Sequence, residues 1–112
     1  MMNTERETAK RFGILERIET LRADLLLCKF VQQVKFGFIA VDNKLKQVIV
    51  LTKYDIPTSS PTYYPDRHDL IEEVLHVAEK HGLARTDDLI EDHGTHFYFV
   101  FNISDKKTFY SK

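Results

Sequence analysis

Tryptophan is absent, cysteine occurs once, and glycine and proline number only four and three in 112 residues. The lone Cys28 rules out an intrachain disulfide and any cysteine cluster for zinc, and it fits a reducing, cytoplasmic compartment. So few glycines leave no phosphate-cradling loop and no Gly-x-Ser-x-Gly elbow. The formal net charge is −1. A chain so nearly neutral has no global field to gather nucleic acid or an anionic membrane. The longest aliphatic run, Leu25 to Leu27 followed by Cys28, falls far short of the roughly 20 residues that span a bilayer. The polar, acidic start (Asn3, Thr4, Glu5, Arg6, Glu7) is unlike a signal peptide.

What is present is an ordinary globular composition, 43% apolar with eight phenylalanines. It suits one domain spanning residues 1–112 with a real core. Charge is unevenly divided. Met1 to Tyr54 carries ten basic and six acidic residues, and Asp55 to Lys112 six basic and eleven acidic. Opposite halves of this kind suit head-to-tail contact between copies or docking on a charged partner, although chance unevenness on a solvated surface is the more ordinary reading.

The residue pattern predicts the elements. Thr4 and Glu7 form a capping box. Ile14, Ile18, Leu21, Leu25 and Cys28 step by four and three, a seam about 21 Å long on one helix from about Glu5 to about Cys28. Glu7–Arg11 and Glu19–Arg22 are spaced for pairing on its surface. The period then falls to two: Val34, Phe36, Phe38 and Ala40 alternate with Lys35, Gly37, Ile39 and Val41. Asp42, Asn43 and Lys44 make a turn, and Lys46 to Tyr54 returns as the second strand of a hairpin. Both faces of this hairpin are apolar, so both are expected to be covered, by helices or by another subunit.

Asp55 to Pro65 holds all three prolines and is expected to be a loop. Asp66 is placed to cap a second helix with Asp69 at its third position. Its stripe is Leu70, Ile71, Val74, Leu75 and Ala78, and Gly82 and Leu83 make a Schellman ending. Asp87 to Asp92 reads equally as helix or strand. Thr95, Phe97, Phe99, Phe101 and Ile103 then alternate with His96, Tyr98, Val100 and Asn102 as a strand. Ser104 to Lys106 reads as a turn, and Thr108 to Tyr110 as a short edge strand. The expected fold is α+β, a two-layer sandwich with two helices on one face of a three- to five-stranded antiparallel sheet.

Chemistry-bearing residues concentrate in one stretch. All five histidines lie between His68 and His96, and Asp66 to His93 carries nine acids against three basic residues. Histidine titrates near neutrality, so this is where acid–base catalysis would lie. His68, at the expected start of the second helix, would stay neutral beside the dipole's positive end. It could act there as base or nucleophile, with Tyr63 and Tyr64 forming a pocket wall. Its placement resembles that of the catalytic histidine in phosphohistidine phosphatases, though the family's glycine-rich stretch is missing. His93-Gly94-Thr95 resembles half of the two-histidine phosphoesterase pattern, whose second His-x-Thr has no counterpart here.

Glu72 and His76 are one turn apart but make a pair, not a metal site. His81 precedes Gly82, where a helix C-terminus suits an imidazole structurally. The face His96, Tyr98, Val100 and Asn102 could stack a planar ligand or base. It lacks the basic surround of an RNA binder, so no nucleic acid is expected. Cys28 continues the apolar seam as a small hydrophobe.

These readings favour a small interaction or regulatory module that self-associates as a homodimer, needs no cofactor or metal and has no catalysis of its own. The alternative is a phosphoryl-transfer or phosphate-ester hydrolase that uses His68 and His96. Binding contacts would come from Tyr63, Tyr64, His93 and Tyr98. A divalent-metal site drawn from His68, His93, His96 and neighbouring acids ranks third.

Overall fold

The computed structural model describes residues 4–92 and 95–111, the side chains of 88–92 aside. In chain order the elements are α1 (Thr4–Arg11), α2 (Leu15–Leu26), β1 (Val31–Val41), β2 (Lys44–Tyr54), α3 (Tyr63–Lys80), β3 (Leu83–Asp92), β4 (His96–Ile103) and α4 (Lys106–Phe109). The strands form one antiparallel sheet in the order β1-β2-β4-β3. Helices pack on one face of it, the two-layer α+β arrangement that the patterning predicts.

The first helix is broken. Gly13 has φ +72, and the Ile14 amide donates to the Ala9 carbonyl at 2.9 Å while the Gly13 amide donates to Lys10 at 3.0 Å. That pair of bonds is a Schellman ending, for which a residue in left-handed backbone is required. The apolar seam lies beyond the break. Ile14, Ile18, Leu21, Leu25 and Cys28 are at most 7% exposed, buried within this chain's own core. It is therefore not a free surface for a second helix. Pairing joins the two helices rather than decorating one: Arg6 meets Glu19 at 2.9 Å, and Glu5 meets Arg22.

Glu5 and Arg22 also treat the edge of the sheet. The Phe36 amide donates to Glu5 at 2.8 Å, and Arg22 donates to the Val34 carbonyl at 3.3 Å. An edge strand presents unpaired backbone groups that invite foreign strands. On β1, at these positions, side chains of the helical layer occupy those groups.

The β1–β2 turn holds Asp42 and Asn43 at φ +53 and +62, the left-handed pair of a tight type I′ hairpin. Phe97, Phe99 and Phe101 of β4 point into the core beside Val34, Phe36, Val48 and Val50. Tyr54 stacks on Phe97 with ring centroids 4.6 Å apart, and Phe99 on Phe101 at 5.8 Å. Truncating such a phenylalanine typically costs about 3–5 kcal/mol.

Two further expectations change, and one segment left open takes a definite form. The second helix starts at Tyr63 instead of Asp66, so Tyr63, Tyr64 and Pro65 belong to its first turn and the loop is correspondingly shorter. Proline is tolerated there because first-turn amides have no partner within the helix. Asp87 to Asp92 falls in β3; the β3–β4 register slips between Arg85 and Leu89, and the Thr86 hydroxyl donates to the Val100 carbonyl at 2.8 Å. The segment expected as an edge strand is the single-turn helix α4. Asp105 caps it, accepting from the Thr108 amide at 3.1 Å and hydroxyl at 2.7 Å. Those two bonds hold the Asp105 carboxyl below its ordinary range.

Candidate functional site

Among the described residues the histidines do not gather into one site. His68 is exposed on α3, in the second turn. Its amide is past the four unpaired groups of the helix start, so it does not stand at the helix N-terminus. Tyr63 packs against the core, and Tyr64 is 78% exposed, the two rings edge to face at 5.3 Å.

On β4 the Phe97 ring faces the helical layer, where the Arg67 guanidinium sits 5.1 Å from its centroid. Strand alternation therefore sends His96 through the opposite face. There its Nδ1 pairs with the Thr95 hydroxyl at 2.8 Å. His68 and His96 stand on opposite sides of the sheet. His93 lies outside the described residues. His76 is exposed on α3. Among the described residues no three histidine, cysteine, aspartate or glutamate side chains gather as a metal site.

His81 is the histidine with a built environment. It is buried, 6% exposed, between two residues of α2. Nε2 lies 2.7 Å from Asp24 Oδ2 and Nδ1 lies 2.8 Å from Arg17 Nη1. Arg17 donates as well to the carbonyls of Thr108, Phe109 and Ser111 at 2.9, 3.1 and 3.2 Å. A guanidinium only donates and a carboxylate only accepts. The partners thus assign the neutral ring with its proton on Nε2. Both ring nitrogens are occupied, which makes this a structural clamp tying α2, α3 and α4 together, the structural role the His81-Gly82 pair suggests. The sequence hides it because His81 is far in the chain from Arg17 and Asp24, which share a face of α2.

Cys28 is likewise not a reactive thiol. Burial first, then the Glu73 carboxylate and a hydrogen bond to it, push its pKa up to about 11, with Asp24 adding a smaller push. A thiol so shifted is protonated and inert at neutral pH.

The larger feature is the other face of the sheet. Register places Lys35, Leu51 and Tyr98 in one row across β1, β2 and β4. Gly37, Ile49 and Val100 form the next row, and Ile39, Gln47 and Asn102 the third. Gln47 donates to Asn102 at 2.9 Å across the strands. Leu51, Ile49, Tyr98 and Val100 are half-buried by their neighbours alone, and Ile39 is exposed. Among the described residues no element lies over these side chains. The rows mark a continuous apolar strip bordered by Lys35, Lys53, Gln47, Asn102 and His96.

The charge asymmetry of the sequence becomes lateral across the sheet. The β1–β2 hairpin, Val31 to Tyr54, carries four lysines and one aspartate, a formal +3. Leu83 to Ile103, containing β3 and β4, carries one arginine and four acids, a formal −3. Because the strand order is β1-β2-β4-β3, the basic pair and the acidic pair occupy opposite halves of the sheet. Tyr98 was visible as a contact residue from strand alternation; its partners Leu51 and Ile49 were not, since their register needs the fold.

Comparison with protein-family models, with curated proteins and with solved structures finds no match to this chain.

Proposed function

We propose that this chain is a protein-interaction module that associates with a second copy of itself through the open face of its sheet. The observation that carries the reading is the strip of Leu51, Ile49, Tyr98 and Val100, with the helical layer on the opposite face. An antiparallel sheet tolerates one solvated face when that face is polar. Here its centre is apolar and half-buried, and a contiguous apolar strip left partly open to solvent marks an interaction surface.

A second copy fits through charge. A two-fold axis laid along the strands sets β1 of one copy over β3 of the other and β2 over β4, so the hairpin that brings Lys35 and Lys53 to this face lies over the strand pair of net acidic sequence. An axis across the strands would set β1 over β1, with like charges opposed. Homodimers use one self-complementary patch in this way, and stacked sheets lie about 10 Å apart with interdigitated side chains. Four strands about 4.8 Å apart and about eight residues long give a face of roughly 500 Å² before side-chain relief. That is the small end of specific interfaces, so the affinity expected is micromolar rather than nanomolar.

The phosphoryl-transfer alternative needs His68 and His96 on one substrate. Their placement on opposite sides of the sheet gives it no geometric support.

Sedimentation equilibrium tests the reading. The wild-type chain should rise from one to two chain masses as concentration passes through the micromolar range. Leu51→Glu, which places a carboxylate in the strip without entering the core, should remain at one mass. A wild-type chain that stays at one mass at every concentration, or a Leu51→Glu variant that dimerises equally well, contradicts it.

A further inference from the structure

Away from the sheet face, at the end of the molecule where α1 turns into α2, four elements enclose a cavity of about 440 Å³. The helix corner contributes Phe12. The hairpin turn and start of β2 contribute Asn43, Lys44 and Lys46, and α4 contributes Lys106 and Tyr110. Its volume falls within the range of small-molecule sites.

Three lysines line this cavity and no carboxylate does. That is notable in a chain whose acidic residues outnumber its basic ones. The nearby Asp105 is committed to capping α4 through Thr108. Local structure supplies the convergence. The left-handed pair Asp42–Asn43 reverses the chain sharply just before Lys44 and Lys46, and the capped turn of α4 begins at Lys106, so lysines from two elements line one cleft. Ammonium groups gathered this way repel one another, and a multiply charged anion among them relieves that repulsion. Lysine binds phosphate as a point charge and needs no glycine loop to do so. Phe12 and Tyr110 give the same cavity two aromatic walls, and the Arg11 guanidinium lies over the Phe12 ring, 4.8 Å from its centroid.

We infer that this cleft binds an organic phosphate of mononucleotide size, its phosphate held by Lys44, Lys46 and Lys106 and its planar ring against Phe12 and Tyr110. The Asn43 amide, which both donates and accepts, is placed to meet a polar ring edge. The proposal is independent of the sheet-face dimer.

Amide chemical-shift titration of the full chain tests it, with adenosine monophosphate, inorganic phosphate and adenosine as separate arms. Adenosine monophosphate should give saturable shifts at Asn43 to Lys46 and Lys106 to Tyr110, weakened by added salt, and each fragment alone should bind at least about tenfold more weakly. The triple variant Lys44→Ala, Lys46→Ala, Lys106→Ala alters only exposed side chains. Its spectrum should overlay the wild type elsewhere, and its affinity should fall at least about tenfold. Absence of saturable shifts at this end, shifts confined to another surface, or an unchanged affinity in the triple variant overturns the proposal. So does inorganic phosphate binding as tightly as the nucleotide, because the aromatic walls would then contribute nothing.

Discussion

Asp24 Oδ2 and His81 Nε2 are 2.7 Å apart, and the ring's other nitrogen faces Arg17 at 2.8 Å. The imidazole is thus the middle of a donor–acceptor chain running from α2 to the end of α3 and back. Arg17 extends the same chain to the carbonyls of α4. Replacing His81 by alanine leaves the Arg17 donor facing the His81 void and removes one partner of Asp24. The expected loss is about 1–3 kcal/mol of stability. Asp24→Asn should cost less, because Asp24 is half exposed and screened by water. Urea unfolding of the three proteins measures both, and equal losses in the two variants would contradict the described order.

Two glycines with similar backbone angles should respond differently to alanine. Gly82 has φ +83, and a Cβ there would lie 2.6 Å from the Asp105 carbonyl oxygen and 3.0 Å from the Phe109 amide nitrogen. Those atoms are backbone and cannot swing aside. Gly13 has φ +72 with nothing within 4 Å. Gly13→Ala should therefore cost only the conformational penalty, about 1 kcal/mol. Gly82→Ala should cost at least about 3 kcal/mol, since α4 has to be displaced as well. Thermal unfolding of the two variants gives the comparison.

What could be read from the sequence follows from how local each signal is. The hairpin, the alternating Phe97–Phe99–Phe101 strand and the α3 stripe of Leu70, Val74 and Ala78 were legible because each rests on neighbours in the chain. The break at Gly13 was hidden by Ile14 to Cys28, whose helical period runs unbroken after it. Asp87 to Asp92 was ambiguous because the register slip after Arg85 disturbs the alternation that identifies a strand. The start of α3 was misplaced because Pro65 and the residues before it read as loop, although proline is at home in a first turn. The clamp at His81 and the lysine cleft were illegible because each gathers side-chain or backbone groups from three or more elements. Tyr98 was legible as a surface residue, but not the row it shares with Lys35 and Leu51.

Alkaline pH should expose Cys28. Burial and the Glu73 carboxylate raise its folded pKa from 9.0 to about 11. The folded state therefore holds the thiol proton more tightly than the unfolded chain does. This contribution to stability is complete below pH 9.0 and is lost as pH rises toward about 11. Tyr110, also raised by burial, acts in the same direction, so Cys28→Ser serves as the control that isolates the thiol. The wild type should lose more of its urea midpoint than Cys28→Ser across this window, and identical losses would contradict the assignment.

Association through the sheet face should depend on salt and on lysine. Lys35 borders the apolar strip on β1, and Lys53 lies opposite His96 on β2. The double variant Lys35→Glu, Lys53→Glu removes the basic border and should weaken dimerisation, and raised ionic strength should weaken the wild-type dimer. Glu72→Lys on the exposed side of α3 should leave it unchanged. Sedimentation velocity at matched concentrations separates these outcomes.

The most direct test is an isotope-filtered nuclear Overhauser experiment on a mixture of labelled and unlabelled chains, in which only contacts between copies survive. Methyl signals of Leu51 and Ile49 in one copy should show contacts to the Tyr98 ring and the Val100 methyls of another, with strength rising with concentration. A two-fold axis along the strands requires that pattern. Filtered contacts confined to the helical layer, or none at any concentration, would contradict the central claim that the open sheet face is where this chain meets its partner.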